Sequence, residues 1–281
     1  MSIVVLGKSG QVATALRTQR EVTALGRDQA DLNDPEAVVT ALEAAAPSVI
    51  INAAAYTAVD QAESDADAAF RLNAEAPGQI AEWAAARDIP FLHISTDYVF
   101  NGSGEKPWSP NDPIAPLSVY GRSKAKGEAR ITAANGPHAI LRTSWVFSET
   151  GANFVRTMLR LGKQRDALTI VSDQIGGPTS ADDIAAALLK MADALLEGRG
   201  ASGIYHFAGA PDVSWADFAR EIFAQANLSV TVTDIPTSDY PTPAARPLNS
   251  RLNCDDLARD YGIERPNWQR SLADVLAKLE G

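Results

Sequence analysis

An apolar run near the start of the chain, Ile3 to Leu6, ends directly in a turn that contains Gly7 and Gly10. Glycines after a buried strand let the backbone turn tightly and approach a pyrophosphate, which the N-terminus of the following helix then stabilises. The place of a third glycine in this dinucleotide-binding pattern holds Ala13, which is an allowed substitute. The sequence therefore predicts a strand, a dinucleotide-binding turn and a helix, with an ordinary strand-to-helix turn as the alternative.

Apolar runs and helix-forming segments alternate over the first 150 residues, which is typical of a parallel sheet with helices on both faces. The fold class predicted is therefore α/β, a Rossmann-type doubly wound parallel sheet. Further strands are expected at about 22–25, 47–52, 89–94 and 139–142, and one continuous helix is expected over 60–86.

The regular alternation fades after residue 150, and residues 235–249 contain four prolines, too many for a helix or a central strand. We predict an NAD(P)-binding domain over 1–150, rejoined by part of 170–210. Residues 151–281 are expected to form mainly a smaller C-terminal α/β substrate-binding domain.

Small and polar residues follow the predicted strands. Strand three runs into Ala53-Ala54-Ala55-Tyr56-Thr57, strand four into Ser95-Thr96-Asp97, and strand five reaches Trp145 shortly after its end. Because the carboxyl ends of parallel strands share one edge of the sheet, these residues are expected to face the same crevice as the glycine turn. Trp145 suits stacking on a sugar or a base, with core packing as the alternative.

The second predicted strand ends in Gly26-Arg27, where an acidic residue would hold a ribose 2′-hydroxyl and an arginine can accept a 2′-phosphate. Arg27 therefore favours NADPH as the cofactor, with NADH still possible. The alternative for Arg27 is an ordinary solvated charge in a loop.

Tyr120 and Lys124 are four residues apart, so they lie on one face of a predicted helix. An ammonium near a phenol lowers its pKa, which would make Tyr120 a usable proton donor or acceptor. Thr96 is expected to reach the same crevice and hydrogen-bond a substrate carbonyl. The three histidines are spread out, and core or edge positions are expected for them.

Composition excludes several classes of partner. The net charge of −10 argues against nucleic acid, and no apolar run reaches the length of a membrane-spanning helix. Cys254 is the only cysteine and there is no signal-type segment, so a cytoplasmic location is expected. The sequence contains no residues with the spacing of metal ligands, and no metal site is predicted.

Six motifs together resemble the extended short-chain dehydrogenase/reductase superfamily, and within it the reductases of nucleotide sugars, over nearly the whole chain. They are Gly7-Lys8-Ser9-Gly10-Gln11-Val12, Asn52 to Asp60, Ser95 to Gly102, Tyr120-Gly121-Arg122-Ser123-Lys124, Arg142 to Val146 and Asp173 to Thr179. The resemblance implies that Tyr120, Lys124 and Thr96 are the catalytic residues. It places Gly10-Gln11-Val12, Asp31-Leu32, Ala55-Tyr56-Thr57, Tyr120 and Lys124 at the cofactor, and Val59, Thr96, Asp97 and Trp145 at a nucleotide-sugar substrate.

The implied reaction is reduction of the C4 keto group of dTDP-4-dehydro-β-L-rhamnose to dTDP-L-rhamnose, the last step of dTDP-rhamnose biosynthesis. Some members of the family dimerise through a magnesium ion held by glutamates, one of them in the first helix. Because Ala13 to Leu16 contains no acid, a monomer is favoured here, with a weak homodimer possible. Two alternatives stay open: a nucleotide-sugar epimerase or dehydratase, and a non-catalytic subunit resembling the β subunit of methionine adenosyltransferase.

Overall fold

The structure is a computed structural model that describes residues 1–280. Its strands are β1 (Ile3–Leu6), β2 (Thr23–Leu25), β3 (Val49–Asn52), β4 (Phe91–Thr96), β5 (His138–Thr143), β6 (Val146–Phe147), β7 (Ala167–Val171), β8 (Ile175–Gly176), β9 (Thr179–Ser180), β10 (Gly203–His206), β11 (Val213–Ser214), β12 (Thr231–Ile235) and β13 (Asn249–Ser250). Its α-helices are α1 (Gln11–Gln19), α2 (Pro35–Ala45), α3 (Val59–Ala62), α4 (Ala66–Phe70), α5 (Ala76–Ala85), α6 (Val119–Ala133), α7 (Phe154–Gly162), α8 (Ala181–Leu196), α9 (Trp215–Gln225), α10 (Asp255–Tyr261) and α11 (Trp268–Glu280). None of the described helices is long and apolar enough to cross a membrane.

Six parallel strands form the central sheet in the order β10-β5-β4-β3-β1-β2. After β2 the chain crosses to the other side of β1, so the direction of winding reverses between β1 and β3. In doubly wound sheets a ligand binds outside the carboxyl ends of the strands at such a reversal. The predicted doubly wound α/β fold is confirmed, and β1 and β3 end at the crevice.

The two faces of the sheet carry separate apolar cores because strand side chains alternate in direction. Ile3 and Val5 of β1 pack towards α1, α8 and α10, whereas Val4 and Leu6 pack towards α2, α5 and α6. Helices therefore cover both faces, as a fully buried parallel sheet requires.

A third core lies beyond the sheet, where α7, α9 and α11 pack together around aromatic side chains such as Phe218 and Trp268. The chain does not divide simply at residue 150, because α8 packs in the core of the large sheet and β10 is its edge strand. The division into 1–150 and 151–281 stays a prediction.

The prediction of one continuous helix over 60–86 is wrong. The segment consists of α3, α4, a π-helical turn at Arg71–Glu75, and α5. Within the π turn the Asn73 side chain bonds both backbone groups of Tyr56, accepting from its N–H at 2.8 Å and donating to its carbonyl at 3.0 Å. Gly127 of α6 lies so close to this turn that a Cβ there would collide with the Asn73 carbonyl oxygen. These contacts accompany the widened π turn, through which the helix continues from α4 into α5; the break itself is at residues 63–65, between α3 and α4.

Candidate active site

The glycine turn forms a cradle at the point where the sheet reverses direction. Gly7 has a φ of 110°, which L side chains rarely adopt, and a Cβ on it would lie 3.4 Å from the backbone of Ala53 and Ala54. Gly10 is the N-cap residue of α1, and no side chain caps the helix there. The first N–H groups of α1 therefore remain free of a capping side chain. Such N–H groups, together with the helix dipole, favour an anion.

A cavity of about 140 Å³ opens beside this cradle and brings together six of the predicted cofactor residues. These are Gly7, Arg27, Asp31, Leu32, Ala54 and Ala55. Arg27 donates from Nε to Asp31 Oδ2 at 3.2 Å, and its side chain is 81% exposed, so the guanidinium is anchored at one end and open to a ligand.

The other predicted cofactor residues surround the cradle. Gln11 Oε1 accepts from Ser148 Oγ at 2.9 Å and from Asn153 Nδ2 at 3.0 Å, which ties the start of α1 to the segment after β6. Val12 is buried in the core behind the turn, and Ala53 packs against Gly7 and Gly10. Tyr56 is held by Asn73, and Thr57 is exposed.

Thr96 and Asp97 lie at the carboxyl end of β4, and both are buried. The Thr96 hydroxyl donates to Asp97 Oδ1 at 3.0 Å and accepts from the N–H of Tyr98 at 3.1 Å. The Tyr98 ring then packs edge-to-face against Tyr120, with ring centroids 5.6 Å apart. The end of β4 and Tyr120 of the following helix are thus brought together through Tyr98.

Tyr120 stands in the first turn of α6, whose N-terminus is fixed by two side chains. Ser118 Oγ accepts from the N–H of Gly121 at 3.1 Å, and Glu63 Oε1 accepts from the N–H of Val119 at 2.7 Å. Further along, Ser123 Oγ donates to the Tyr120 carbonyl and accepts from Asn73 Nδ2. Asn73 therefore joins the turn after β3 to the helix that carries Tyr120, a link that the sequence pattern did not reveal.

The expectation that Lys124 lowers the pKa of Tyr120 is wrong in this structure. Burial raises the pKa of the Tyr120 phenol, the Asp97 carboxylate raises it further, and the Thr96 hydroxyl offsets part of the rise. Spacing along a helix fixes which face two side chains share, but it does not fix where the ammonium points. Tyr120 is accordingly a protonated phenol over the physiological pH range.

Lys124 is directed into the protein interior. Its Nζ donates to the carbonyl of Ile94 at 2.7 Å and lies 3.0 Å from His93 Nε2. Burial lowers the pKa of Lys124 to about 8, while the nearby Glu128 carboxylate acts in the opposite direction. His93 is fully buried, so its predicted core position is confirmed, but its contact with Lys124 was not foreseen.

A buried ion pair supports the same helix from below. Arg142 of β5 donates from Nε and Nη2 to the two carboxylate oxygens of Glu128 in α6, at 2.9 and 2.6 Å, and both side chains are about 2–3% exposed. Ser95 Oγ also donates to Glu128 Oε1 at 2.5 Å, and Arg142 Nη1 donates to the carbonyl of Pro110. The pair therefore joins β4, β5 and α6 beneath the site.

A larger cavity of about 690 Å³ lies between the end of β4 and the third core. At one end Arg246 forms a two-pronged ion pair with Asp60, at 2.8 and 2.7 Å, next to Tyr98. At the other end the lining includes Phe154 and Trp215. The pattern of the sequence had not singled out Arg246, Phe154 or Trp215.

Trp145 packs against a residue that lines this cavity. Its ring stacks on Trp215 with centroids 3.7 Å apart and planes 12° from parallel, and Trp215, not Trp145, lines the cavity. Val59 begins α3 directly before Asp60, at the same end of the cavity as Arg246. Within residues 1–280, no three histidine, cysteine, aspartate or glutamate side chains are grouped so that they could share a metal ion.

The arrangement fits a dinucleotide at the sheet reversal. The close approach of Gly7 to the Ala53 turn leaves a backbone cradle, the N-terminus of α1 favours the pyrophosphate, and the 140 Å³ cavity with Arg27 lies beside both. Thr96 ends β4 at the same sheet edge, and Tyr98, which lines the larger cavity, packs against Tyr120. Both residues therefore lie next to the space where a second molecule would bring its reacting group.

The chain is similar to known proteins over nearly its whole length. Residues 1–280 match the family model described as the RmlD substrate binding domain. The dTDP-4-dehydrorhamnose reductase of Sinorhizobium fredii (strain NBRC 101917 / NGR234) is 46% identical over 281 residues, covering 96% of this chain and 95% of that protein.

Two solved structures have nearly the same fold. The dTDP-4-dehydrorhamnose reductase of Clostridium acetobutylicum superposes with a TM-score of 0.94 at 35% identity, covering all of both chains. The enzyme of the same name from Bacillus anthracis, solved in complex with NADP, has a TM-score of 0.92 at 31% identity and covers 99% of this chain and 100% of its own. The chain therefore belongs to the RmlD substrate binding domain family, together with these dTDP-4-dehydrorhamnose reductases.

Proposed function

We propose that this protein is an NADPH-dependent dTDP-4-dehydrorhamnose reductase, which reduces the C4 keto group of dTDP-4-dehydro-β-L-rhamnose to give dTDP-L-rhamnose. The observation that carries the proposal is that Thr96 and Tyr120 both contact Tyr98, which lines the large cavity with Arg246, at the sheet edge that also carries the glycine cradle. Relatives of that name, similar over their whole length, support the choice of substrate.

The cofactor is proposed to lie along the cradle. Gly7, Gly10, Gln11 and Val12 would hold the pyrophosphate at the N-terminus of α1. The adenosine end would occupy the 140 Å³ cavity among Arg27, Asp31, Leu32, Ala54 and Ala55, and the remaining turn residues Ala53, Tyr56 and Thr57 would flank the rest. When bound, the dinucleotide supplies the hydride.

The chain itself supplies the proton and the orientation. Tyr120 is protonated because its surroundings raise its pKa, so it can donate its proton to the strongly basic oxygen that forms at C4. The Thr96 hydroxyl lies next to Tyr120 and would hydrogen-bond the same oxygen. Lys124 would bind the nicotinamide ribose after its amine turns from the carbonyl of Ile94. The end of β4, which carries Thr96, and α6, which carries Tyr120, are both held by hydrogen bonds. Holding the reacting groups in position in this way favours the reaction.

The substrate is proposed to occupy the 690 Å³ cavity, with its sugar towards Val59, Thr96 and Asp97. Arg246 at that end suits the diphosphate, because its pair with Asp60 uses Nη1 and Nη2 and leaves Nε to donate a charge-assisted hydrogen bond to a phosphate oxygen. Trp215, supported by Trp145, suits the face of the base. The predicted contact at Trp145 is thus proposed to act through Trp215.

A coupled assay of the purified protein tests this function. With dTDP-4-dehydro-β-L-rhamnose, NADPH should be consumed in equal amount to the sugar reduced. A nucleotide-sugar epimerase would convert its substrate with no net loss of NADPH, and a non-catalytic subunit would bind NADPH without turnover. Either result would reject the reductase assignment.

Replacement of Arg27 by glutamine is expected to lower kcat/KM for NADPH about 10–100-fold, because a charge-assisted hydrogen bond to the 2′-phosphate is worth about 1.5–3 kcal/mol. The efficiency with NADH should stay the same and serves as the internal control, since NADH has no 2′-phosphate. A wild-type protein that clearly prefers NADH would contradict the role given to Arg27.

Replacement of Arg246 by methionine should raise KM for the nucleotide sugar about 10–100-fold, because the diphosphate loses a charge-assisted hydrogen bond and a nearby positive charge. KM for NADPH should not change. Arg220→Met is a matched control, since Arg220 is also an ion-paired arginine of the C-terminal half but is not among the residues that line the cavity. Equal KM values for the nucleotide sugar in both variants would remove Arg246 from the proposed site.

A further inference from the structure

Three buried polar side chains form a hydrogen-bonded row beneath the proposed site. Asn52 at the end of β3, His93 in β4 and Lys124 in α6 are each at most 2% exposed. Asn52 Nδ2 lies 3.1 Å from His93 Nδ1, and His93 Nε2 lies 3.0 Å from Lys124 Nζ. In such a row each contact needs one donor and one acceptor, so the position of every proton is constrained.

The orientation of Asn52 is fixed by the turn that follows it. Asn52 Oδ1 accepts from the N–H of Ala54 at 3.1 Å, so its amide nitrogen faces the histidine. That nitrogen is only a donor, and His93 Nδ1 must therefore be the acceptor. A neutral imidazole carries one proton, which then lies on Nε2.

The Nε2–H of His93 consequently points at Lys124. An ammonium has three donors and no lone pair, whereas a neutral amine can accept one hydrogen bond. Lys124 can satisfy both contacts only as a neutral amine, which accepts from His93 and donates to the carbonyl of Ile94.

We propose that Asn52, His93 and Lys124 form a two-state unit that couples the charge of Lys124 to the cofactor turn. When Lys124 gains a proton, His93 must accept at Nε2 and donate from Nδ1. Asn52 must then turn its oxygen to His93, and the N–H of Ala54 loses its acceptor. His93 and Asn52 are thus positioning residues, and this role deepens the proposed function because it rests on Lys124 serving the cofactor there.

The surrounding charges support the two states. The groups that face Lys124 are His93 from β4 and Glu128 one turn further along α6, while β3 presents only the uncharged Asn52, which contacts His93. Burial brings the pKa of Lys124 down to about 8, so both of its charge states are accessible near neutral pH. Burial also lowers the pKa of His93, and Lys124 adds to this, so the ring changes tautomer without becoming an imidazolium.

NMR of the full-length protein labelled with ¹⁵N-histidine and uniformly with ¹⁵N tests this coupling. The chain has only three histidines, so long-range ¹H–¹⁵N spectra can be assigned with a His93→Gln variant. Above pH 8, His93 should be the Nε2–H tautomer; below it, the Nδ1–H tautomer should appear, and the amide signal of Ala54 should shift with the same midpoint.

His206 is an internal control in the same spectra. Its Nδ1 faces the carbonyl of Trp108 at 3.0 Å and its Nε2 faces the Arg142 guanidinium, so it should remain the Nδ1–H tautomer throughout. In Lys124→Met the step in the His93 and Ala54 signals should vanish while the His206 signals stay in place.

A single His93 tautomer at every pH, or a step that persists in Lys124→Met, would overturn the coupling. The experiment contains neither cofactor nor substrate, so such a result would leave the reductase function untouched. Conversely, a protein that showed the coupled step but did not oxidise NADPH would lose only the proposed function.

Discussion

Replacing Tyr120 by phenylalanine is expected to lower kcat by about 10²–10⁴-fold, the usual contribution of a positioned proton donor. The substitution removes one hydroxyl and keeps the ring that packs edge-to-face against Tyr98, so the fold and the affinity for NADPH should stay the same. Steady-state rates with saturating NADPH and dTDP-4-dehydro-β-L-rhamnose, together with NADPH binding by fluorescence, measure both quantities.

Tyr205→Phe is the matched control, because it removes a partly buried tyrosine hydroxyl of β10 that donates to the carbonyl of Ala201 or to Asp260 Oδ2. It should turn over at nearly the wild-type rate. If Tyr120→Phe retained the kcat of Tyr205→Phe, the proton would have to come from another group, and the assignment of Tyr120 would fail.

Replacing Glu128 by alanine is expected to lower the free energy of unfolding by about 3–5 kcal/mol, because it leaves the Arg142 guanidinium buried without its carboxylate. The same change should lower kcat, since Glu128 lies one turn beyond Lys124 in the helix that carries Tyr120. Urea unfolding followed by circular dichroism gives the free energy of unfolding.

Two further variants isolate the buried charge as the cause. Glu82→Ala removes a carboxylate from a surface ion pair in which the Glu82 side chain is 60% exposed and the Arg130 side chain 33%. It should lower the free energy of unfolding by less than about 1 kcal/mol. The double variant Glu128→Leu with Arg142→Met removes both charges and should recover much of the loss. A Glu128→Ala variant as stable as Glu82→Ala would contradict this account.

Much of the fold and the cofactor cradle could be predicted because the signals are local. The step from an apolar run into Gly7 and the small residues after β3 are adjacent in sequence, and the rule that parallel strands end at one edge brings them together. Thr96 was placed beside Tyr120 by the same rule, without any knowledge of how α6 packs.

The rest depends on contacts between distant parts of the chain. Arg246 reaches Asp60 across 186 residues, so neither its pairing nor its place in the cavity has a local signal. His93 follows the strand pattern of a core residue, which predicts its burial but not the lysine at its ring. The predicted fall in the pKa of Tyr120 fails for a related reason: Lys124 has the predicted spacing, but its amine bonds inward to the carbonyl of Ile94 and to His93.

Transfer of deuterium from NADPH to the sugar tests the central claim most directly. The protein is incubated with dTDP-4-dehydro-β-L-rhamnose and NADPH that carries deuterium in the transferred position at C4 of the nicotinamide, and the product is examined by NMR. The account predicts dTDP-L-rhamnose with deuterium at C4 of the sugar and an equal amount of NADP⁺. A rearranged sugar without deuterium and with NADPH intact, or no product at all, would contradict it.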